Sequence, residues 1–238
     1  VLKTSGIVFK ITRYKESSLI MDVFTKEAGL QSFLVNGVYS KSNQRLAAAL
    51  QLMHMIELVA YYKEHSELHR FKELSRWYPY QQIPQDIRRS AIATFILEIC
   101  RKSVRTQQIL PGLFDYIASV YKQLDQPGPF DPNLHVRFMF ELSAYLGFQP
   151  NNNRSERFNC FDLANGMFIP ESSHKEYVLS PESSTVFSLF LEGQPGSDPH
   201  LQLVQRRLLL QQLILYYQLH IDHFGKVRSM EVFQDILG

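Results

Sequence analysis

Seven lysines and arginines precede residue 50: Lys3, Lys10, Arg13, Lys15, Lys26, Lys41 and Arg45. Only three acids, Glu16, Asp22 and Glu27, stand among them. Ammonium and guanidinium groups in such excess neutralise a polyanion; they do not make or break bonds. The surplus is local. Residues 1–80 hold eleven basic and seven acidic side chains, whereas residues 81–238 hold fourteen and sixteen. The overall charge of +2 thus conceals a basic first part joined to a near-neutral second one. A surplus of this size also occurs in proteins that bind nothing acidic, so charge alone leaves the partner open.

Sets of residues fit for bond chemistry are missing from the sequence. It contains no GxxxxGK[ST] or GxGxxG phosphate loop, no GxSxG elbow and no HExxH zinc motif. His220 and His223 stand three apart and could share a metal ion, but Asp222 lies between them and no third ligand follows. His65 and His69 are four apart in a stretch that reads as strand, where that spacing does not converge. Cys100 reads as a small core residue on a helix. The expectation is a protein without a catalytic centre. Cys100 and Cys160 are too few for a disulfide framework and suit a reducing compartment. No apolar run reaches the roughly 18–20 residues of a membrane span, and the opening VLKTSGIVFK lacks the pattern of a signal peptide. A cytoplasmic protein without membrane attachment is expected.

These side chains need elements to carry them, and the pattern supplies two kinds. With 45% hydrophobic and 20% charged residues the chain is of ordinary globular composition. Over residues 5–12, Ile7, Phe9 and Ile11 alternate with Lys10 and Thr12. A polar turn, Arg13 to Ser17, separates this strand from a second at 19–25. Gly29 breaks the chain before a third at 30–36, and a fourth spans 51–62, with Leu52, Ile56, Leu58, Ala60 and Tyr62 on one face. A fifth is predicted at 68–77, and 46–50 as a short helix between strands three and four. Five strands in this order, with a helical insert after the third, match a five-stranded OB-fold barrel.

The period changes beyond Pro79 and Pro84. Apolar residues recur at helical spacing over 87–104, 113–124 and 133–146, the last ending at Gly147. Residues 149–180 read as a loop-rich insert. A short helix follows at 181–191. The run 201–224 is apolar nearly all round and is predicted as the central buried helix of the bundle; Ser229 can cap a last helix over 230–237. The fold class is therefore multidomain α+β: an OB-fold barrel over 1–79, then an all-α domain over 80–238 with its insert at about 149–180.

Several patches stand out in order along the first part: Thr4-Ser5-Gly6-Ile7-Val8, Tyr14-Lys15-Glu16-Ser17-Ser18-Leu19-Ile20, Val23-Phe24-Thr25-Lys26-Glu27-Ala28-Gly29 and Val35-Asn36-Gly37-Val38, followed by a basic loop and Leu50-Gln51. Others follow at Arg137-Phe138, at Leu146-Gly147-Phe148-Gln149-Pro150, and at the long helix and Val227-Arg228-Ser229. Together these patches resemble the RecO family of bacterial recombination mediators. The resemblance implies a protein that works by binding rather than turnover. It would hold single- and double-stranded DNA, anneal complementary strands, bind single-strand-binding protein and, with RecR, help load RecA.

Under that resemblance the DNA contacts fall on Lys10, Arg13 and Lys15 in the first turn and on Lys41 and Arg45 after the third strand, with Tyr14 and Tyr39 placed to stack on bases. The acidic tail of single-strand-binding protein ends in an apolar residue and a free carboxylate, which calls for an apolar pocket rimmed by cations. Arg137 and Phe138 are the candidates, with Arg88, Arg101, Lys102 and Arg105 as further rim. Many family members also hold zinc through paired CxxC motifs in the insert. Here Cys160 has Leu163 where its partner would stand, so no metal or other cofactor is expected, and Phe158, Phe161, Phe168 and Ile169 are expected to hold the insert by packing. Two alternatives remain: an adaptor whose helical domain docks acidic peptides, and an RNA-binding OB-fold protein.

Overall fold

The computed structural model describes residues 1–38, 50–63, 66–105, 109–173, 176–193 and 200–231. Five strands, β1 (Leu2–Arg13), β2 (Leu19–Thr25), β3 (Gly29–Val35), β4 (Met55–Tyr61) and β5 (His69–Tyr78), close a barrel in the order β1-β2-β3-β5-β4. All pairs are antiparallel except β3 with β5. This is the OB-fold expected from the strand order. The predicted helix at 46–50 falls almost wholly outside the described residues.

Val8, Leu19, Met21, Val23, Phe33, Val35, Ile56, Leu58 and Ala60 fill the barrel. They alternate with outward residues along β2, β3 and β4, because successive side chains on a strand point to opposite faces. Strand β1 departs from its expected alternation. Its register to β2 slips between Val8 and Lys10, so that Phe9 is an extra, bulged residue. Ile11 thereby joins Val8 on the interior side, while Phe9 stacks on Phe24 at 5.4 Å between centroids. Gly6 is required where β1 crosses β2, since a Cβ there would run into the Val23 side chain.

Two helices, α1 (Ile87–Ser103) and α2 (Leu113–Leu124), complete a first compact unit, Val1–Gly128. Phe114 of α2 packs on Phe24 and Trp77, and Tyr121 packs on Tyr80. Asp125, only 3% exposed, ties the connection down: its carboxylate accepts the backbone N–H groups of Gln81, Gln82 and Ile83 at 2.8–3.0 Å. Buried Arg89 donates to the Leu124 and Gly128 carbonyls at the end of α2. Buried charges are tolerated where they are hydrogen-bonded in this way.

The second unit, Pro129–Gly238, holds α3 (Leu134–Tyr145), a hairpin of β6 (Cys160–Asp162) and β7 (Met167–Ile169), α4 (Pro181–Glu192) and α5 (Leu203–His220). Gly147 ends α3 at φ +83°, a conformation that favours glycine. The hairpin lies in the segment read as loops. Buried Asp162 shapes its turn by accepting the N–H groups of Ala164 and Asn165 and the Asn165 amide. Phe161 stacks on Phe187 at 4.2 Å and meets Phe168 at 5.0 Å.

Helix α5 corrects the reading of 201–224 as a helix buried all round. Val204 is 72% and Leu208 46% exposed; the buried side is Leu209, Leu210, Leu213, Tyr216 and Tyr217. The helix packs on α3 and α4, and two neighbours cover only one flank. The predicted last helix lies mostly beyond the described residues.

Candidate nucleic-acid interface

Arg13 closes β1, and the turn after it is built to stand out from the barrel. The Tyr14 N–H donates to the Ser18 carbonyl at 2.8 Å, and Lys15 takes a φ of +61°. The turn is fastened to the end of β3: the Val38 N–H donates to the Ser17 carbonyl at 3.0 Å, and the Ser18 hydroxyl to Asn36 at 3.0 Å. Arg13, Tyr14 and Lys15 are all exposed, and the Lys15 ammonium lies 5.3 Å from the Tyr14 ring centroid. Lys10 is exposed on the same strand. Its cross-strand neighbour is Asp22, which accepts the Ser32 hydroxyl at 2.7 Å, so its charge is partly offset. Tyr39, Lys41 and Arg45 lie outside the described residues.

The register extends this surface across the barrel. Thr12, Ile20, Leu34, Arg70 and Tyr61 are successive partners on β1, β2, β3, β5 and β4. Arg70, Tyr61, Tyr62 and Lys63 at the β4–β5 hairpin are exposed and escaped the sequence reading, which placed Tyr62 on the inner face of a strand. The signal was present as Tyr61-Tyr62-Lys63 at a strand end. The outer face of β1, β4 and β5 has the opposite character. An open groove of about 630 Å³ there is lined by Glu27, Glu57 and Glu73 with Lys3. Carboxylates lining that groove disfavour a polyanion there.

Arg137 has a different setting. It is on α3 with its side chain only 16% exposed, and its guanidinium meets Asp131 at 2.8 Å. Asp131 also accepts the Asn133 N–H at 2.8 Å. Phe138 is 1% exposed, a core residue. Arg206 of α5, unremarked in the sequence, reaches the same helix end and donates to Asn133 at 2.9 Å and to the Leu201 carbonyl at 3.1 Å. It was illegible because it sits some seventy residues away in an apolar run. Arg88, Arg101, Lys102 and Arg105 belong to the first unit. Arg88 pairs with its N-cap residue Asp86 at 3.3 Å, Lys102 with Glu98 at 3.8 Å, and Arg101 and Arg105 are exposed.

Cys160 is buried and pairs in register with Ile169, and burial, then the charges of Glu171 and Glu182, push its thiol upward. Among the described residues no three His, Cys, Asp or Glu side chains gather. His220 lies 3.0 Å from the Leu163 carbonyl and stacks on Phe148; His69 is buried inside the barrel, and His65 is outside the described residues. No described helix is long and apolar enough to cross a membrane.

Two family models cover the chain in order. Recombination protein O N terminal matches residues 1–80, and Recombination protein O C terminal matches residues 84–230. Among curated relatives, the DNA repair protein RecO of Flavobacterium psychrophilum is 31% identical, with 100% of this chain and 99% of the relative covered. That of Phocaeicola vulgatus is 30% identical, with 99% of each covered. A barrel of the OB type, a helical region after it in the chain, and full-length likeness to these proteins agree throughout: the chain belongs to the RecO family of DNA repair proteins.

Proposed function

We propose that the protein acts as a recombination mediator by binding rather than turnover: it holds single- and double-stranded DNA, anneals complementary strands, binds single-strand-binding protein and, with RecR, helps load RecA. The observation that carries this is the exposed basic turn Arg13 to Lys15, pinned to the end of β3 on the barrel of a RecO-family chain. Annealing requires strands held by their phosphates with base edges left free to pair. Lysines and arginines on a rigid turn meet that need, because they neutralise phosphates and release counterions without reading sequence. Lys10, Arg13 and Lys15, with Lys41 and Arg45, form the phosphate contacts, and Tyr14 and Tyr39 stack on bases.

In the second unit Arg137 receives the carboxylate end of the acidic tail of single-strand-binding protein. Binding there exchanges its partner Asp131 for the tail carboxylate, with Arg206 beside the same helix end. The decisive experiment is strand annealing with bare strands and with strands coated by single-strand-binding protein. Acceleration of both supports the mediator reading. Acceleration of neither, with a correctly folded protein, refutes it.

A further inference from the structure

The sequence contains two Asn-Gly steps, Asn36-Gly37 and Asn165-Gly166, and the fold treats them differently. An asparagine before glycine is open to attack by the next backbone nitrogen on its side-chain carbonyl, because glycine has no Cβ to hinder ring closure. Asn36 directly follows β3 and is exposed, at the point where the basic turn is fastened. The Ser18 hydroxyl, itself 7% exposed, donates to Asn36 Oδ1 at 3.0 Å. That bond polarises the carboxamide and stabilises negative charge that develops on its oxygen. Among the described residues nothing accepts from Asn36 Nδ2. Asn165 has the reverse arrangement. Its Nδ2 donates to Asp162 Oδ2 at 2.7 Å, and among the described residues nothing donates to its Oδ1. The Gly166 N–H donates to the Asp162 carbonyl at 2.8 Å, and Gly166 is buried where Gly37 is half-buried. At Asn165 the leaving group is held, the nucleophile is engaged, and the Asp162 carboxylate opposes an oxyanion beside it.

We propose that Asn36-Gly37 is a site of spontaneous covalent modification, in which Asn36 loses its amide and leaves a carboxylate at the base of the basic turn. The Gly37 nitrogen gives its proton to solvent base and attacks Asn36 Cγ. An N–Cγ bond forms, the Cγ–Nδ2 bond breaks, and Nδ2 leaves as ammonia with a proton from water. Water then opens the resulting five-membered imide at either carbonyl. One product is aspartate. The other is isoaspartate, whose main chain runs through Cβ and Cγ and is one carbon longer. The net change is one water consumed and one ammonia released, with no oxidation. Either product carries a negative charge on the segment that the Val38 N–H and the Ser18 hydroxyl join to the turn of Arg13 and Lys15. A carboxylate there competes with phosphate for those cations. The modification stands on the geometry of the two steps alone; its consequence for DNA rests on the DNA-binding reading above. The basic turn thus has a chemical lifetime: the aged protein keeps its barrel and loses affinity for polyanions.

The test incubates the full-length protein in mildly alkaline buffer and follows each Asn-Gly step over time by peptide mapping with mass spectrometry. Asn36 is expected to convert about tenfold faster than Asn165 or more, within what one oxyanion donor contributes in a preorganised site. In the denatured protein the two steps should convert at similar rates, so the difference in the folded protein reports the structure. Ser18→Ala should slow conversion at Asn36, and Asn36→Gln should stop it there. On full conversion, affinity for labelled oligo(dT) should fall about threefold and the salt slope by about 0.7, the equivalent of one lost phosphate contact. Asn36→Gln should age without that loss. Asn165 converting as fast as Asn36 in the folded protein overturns the site, and a Ser18→Ala rate that is unchanged or higher overturns the role of the hydroxyl. Unchanged oligo(dT) affinity after conversion overturns the consequence for DNA. Failure of the fresh protein to bind oligo(dT) refutes the DNA-binding reading, and the mass change still decides the site.

Discussion

The turn after β1 and the first turn of α3 both gather cations, and they use them in opposite ways. Arg13 and Lys15 stand exposed on a hairpin whose backbone makes its own hydrogen bonds. Arg137 and Arg206 are folded onto Asp131, Asn133 and the Leu201 carbonyl. In the first setting the charge lies at the solvent-exposed surface and contributes little to stability, since exposed ion pairs are worth about 0–1 kcal/mol. In the second the charge holds the fold, and a ligand must displace an internal partner. Asp125 in the first unit is the extreme of this inward kind.

The largest effect should come from Asp125, a buried carboxylate that accepts three backbone N–H groups. Asp125→Ala strands three backbone N–H groups, two of them with a fixed carboxylate oxygen at 2.8–2.9 Å, so a loss of about 3–5 kcal/mol is expected in denaturant unfolding. A loss below about 1 kcal/mol would show that water replaces the clamp easily. Next is DNA binding. If roughly five phosphates are neutralised on a single strand, affinity should fall about a hundredfold between 50 and 200 mM salt. Replacing Lys10, Arg13, Lys41 and Arg45 together should flatten that dependence; an unchanged slope in a folded variant moves the DNA site elsewhere.

Arg137→Ala tests the comparison from the other side. It should weaken binding of a labelled single-strand-binding-protein tail peptide by about 1.5–3 kcal/mol, the range for hydrogen bonds to charged groups, and leave DNA affinity at the barrel nearly untouched. Equal peptide affinities in folded proteins would leave Arg137 with a structural role only. An effect seen only at acid pH concerns His135, fully buried on α3. Burial, and then the charge of Arg206, depress its pKa to about 3. The unfolded chain therefore binds a proton that the folded one refuses, so this contribution is complete above about pH 6.5 and is lost as pH falls toward 3. His135→Leu should reduce the acid slope of stability over that window; an unchanged slope assigns it to other groups. Finally, elemental analysis of protein purified without added metal should find well under one zinc per chain, and a stoichiometric value would overturn the reading of the insert around Cys160.

Much of the architecture was legible because local pattern governs it. Strand β2 and helix α2 fall where their residues place them, since alternation and helical spacing of apolar residues are properties of neighbours in sequence. The β6–β7 hairpin was missed because its three-residue strands are too short for a period, and its turn depends on the single side chain of Asp162. The exposure of Val204 and Leu208 was missed because an apolar helix does not record how many neighbours it has.

Within the candidate site the same division holds. Sequence by itself determined the charge surplus before residue 50, the strand order of the barrel and the polar turn from Arg13 to Ser17, because composition and periodicity suffice for these. Tertiary structure decided what neighbours in sequence do not record. The bulge at Phe9 puts Val8 with Ile11 on the interior side, the pairing of β5 with β3 brings Arg70 beside Leu34, and the return of α5 brings Arg206 to Asn133. Each of these joins residues far apart in the chain, and facing depends on register and packing, which no local pattern encodes.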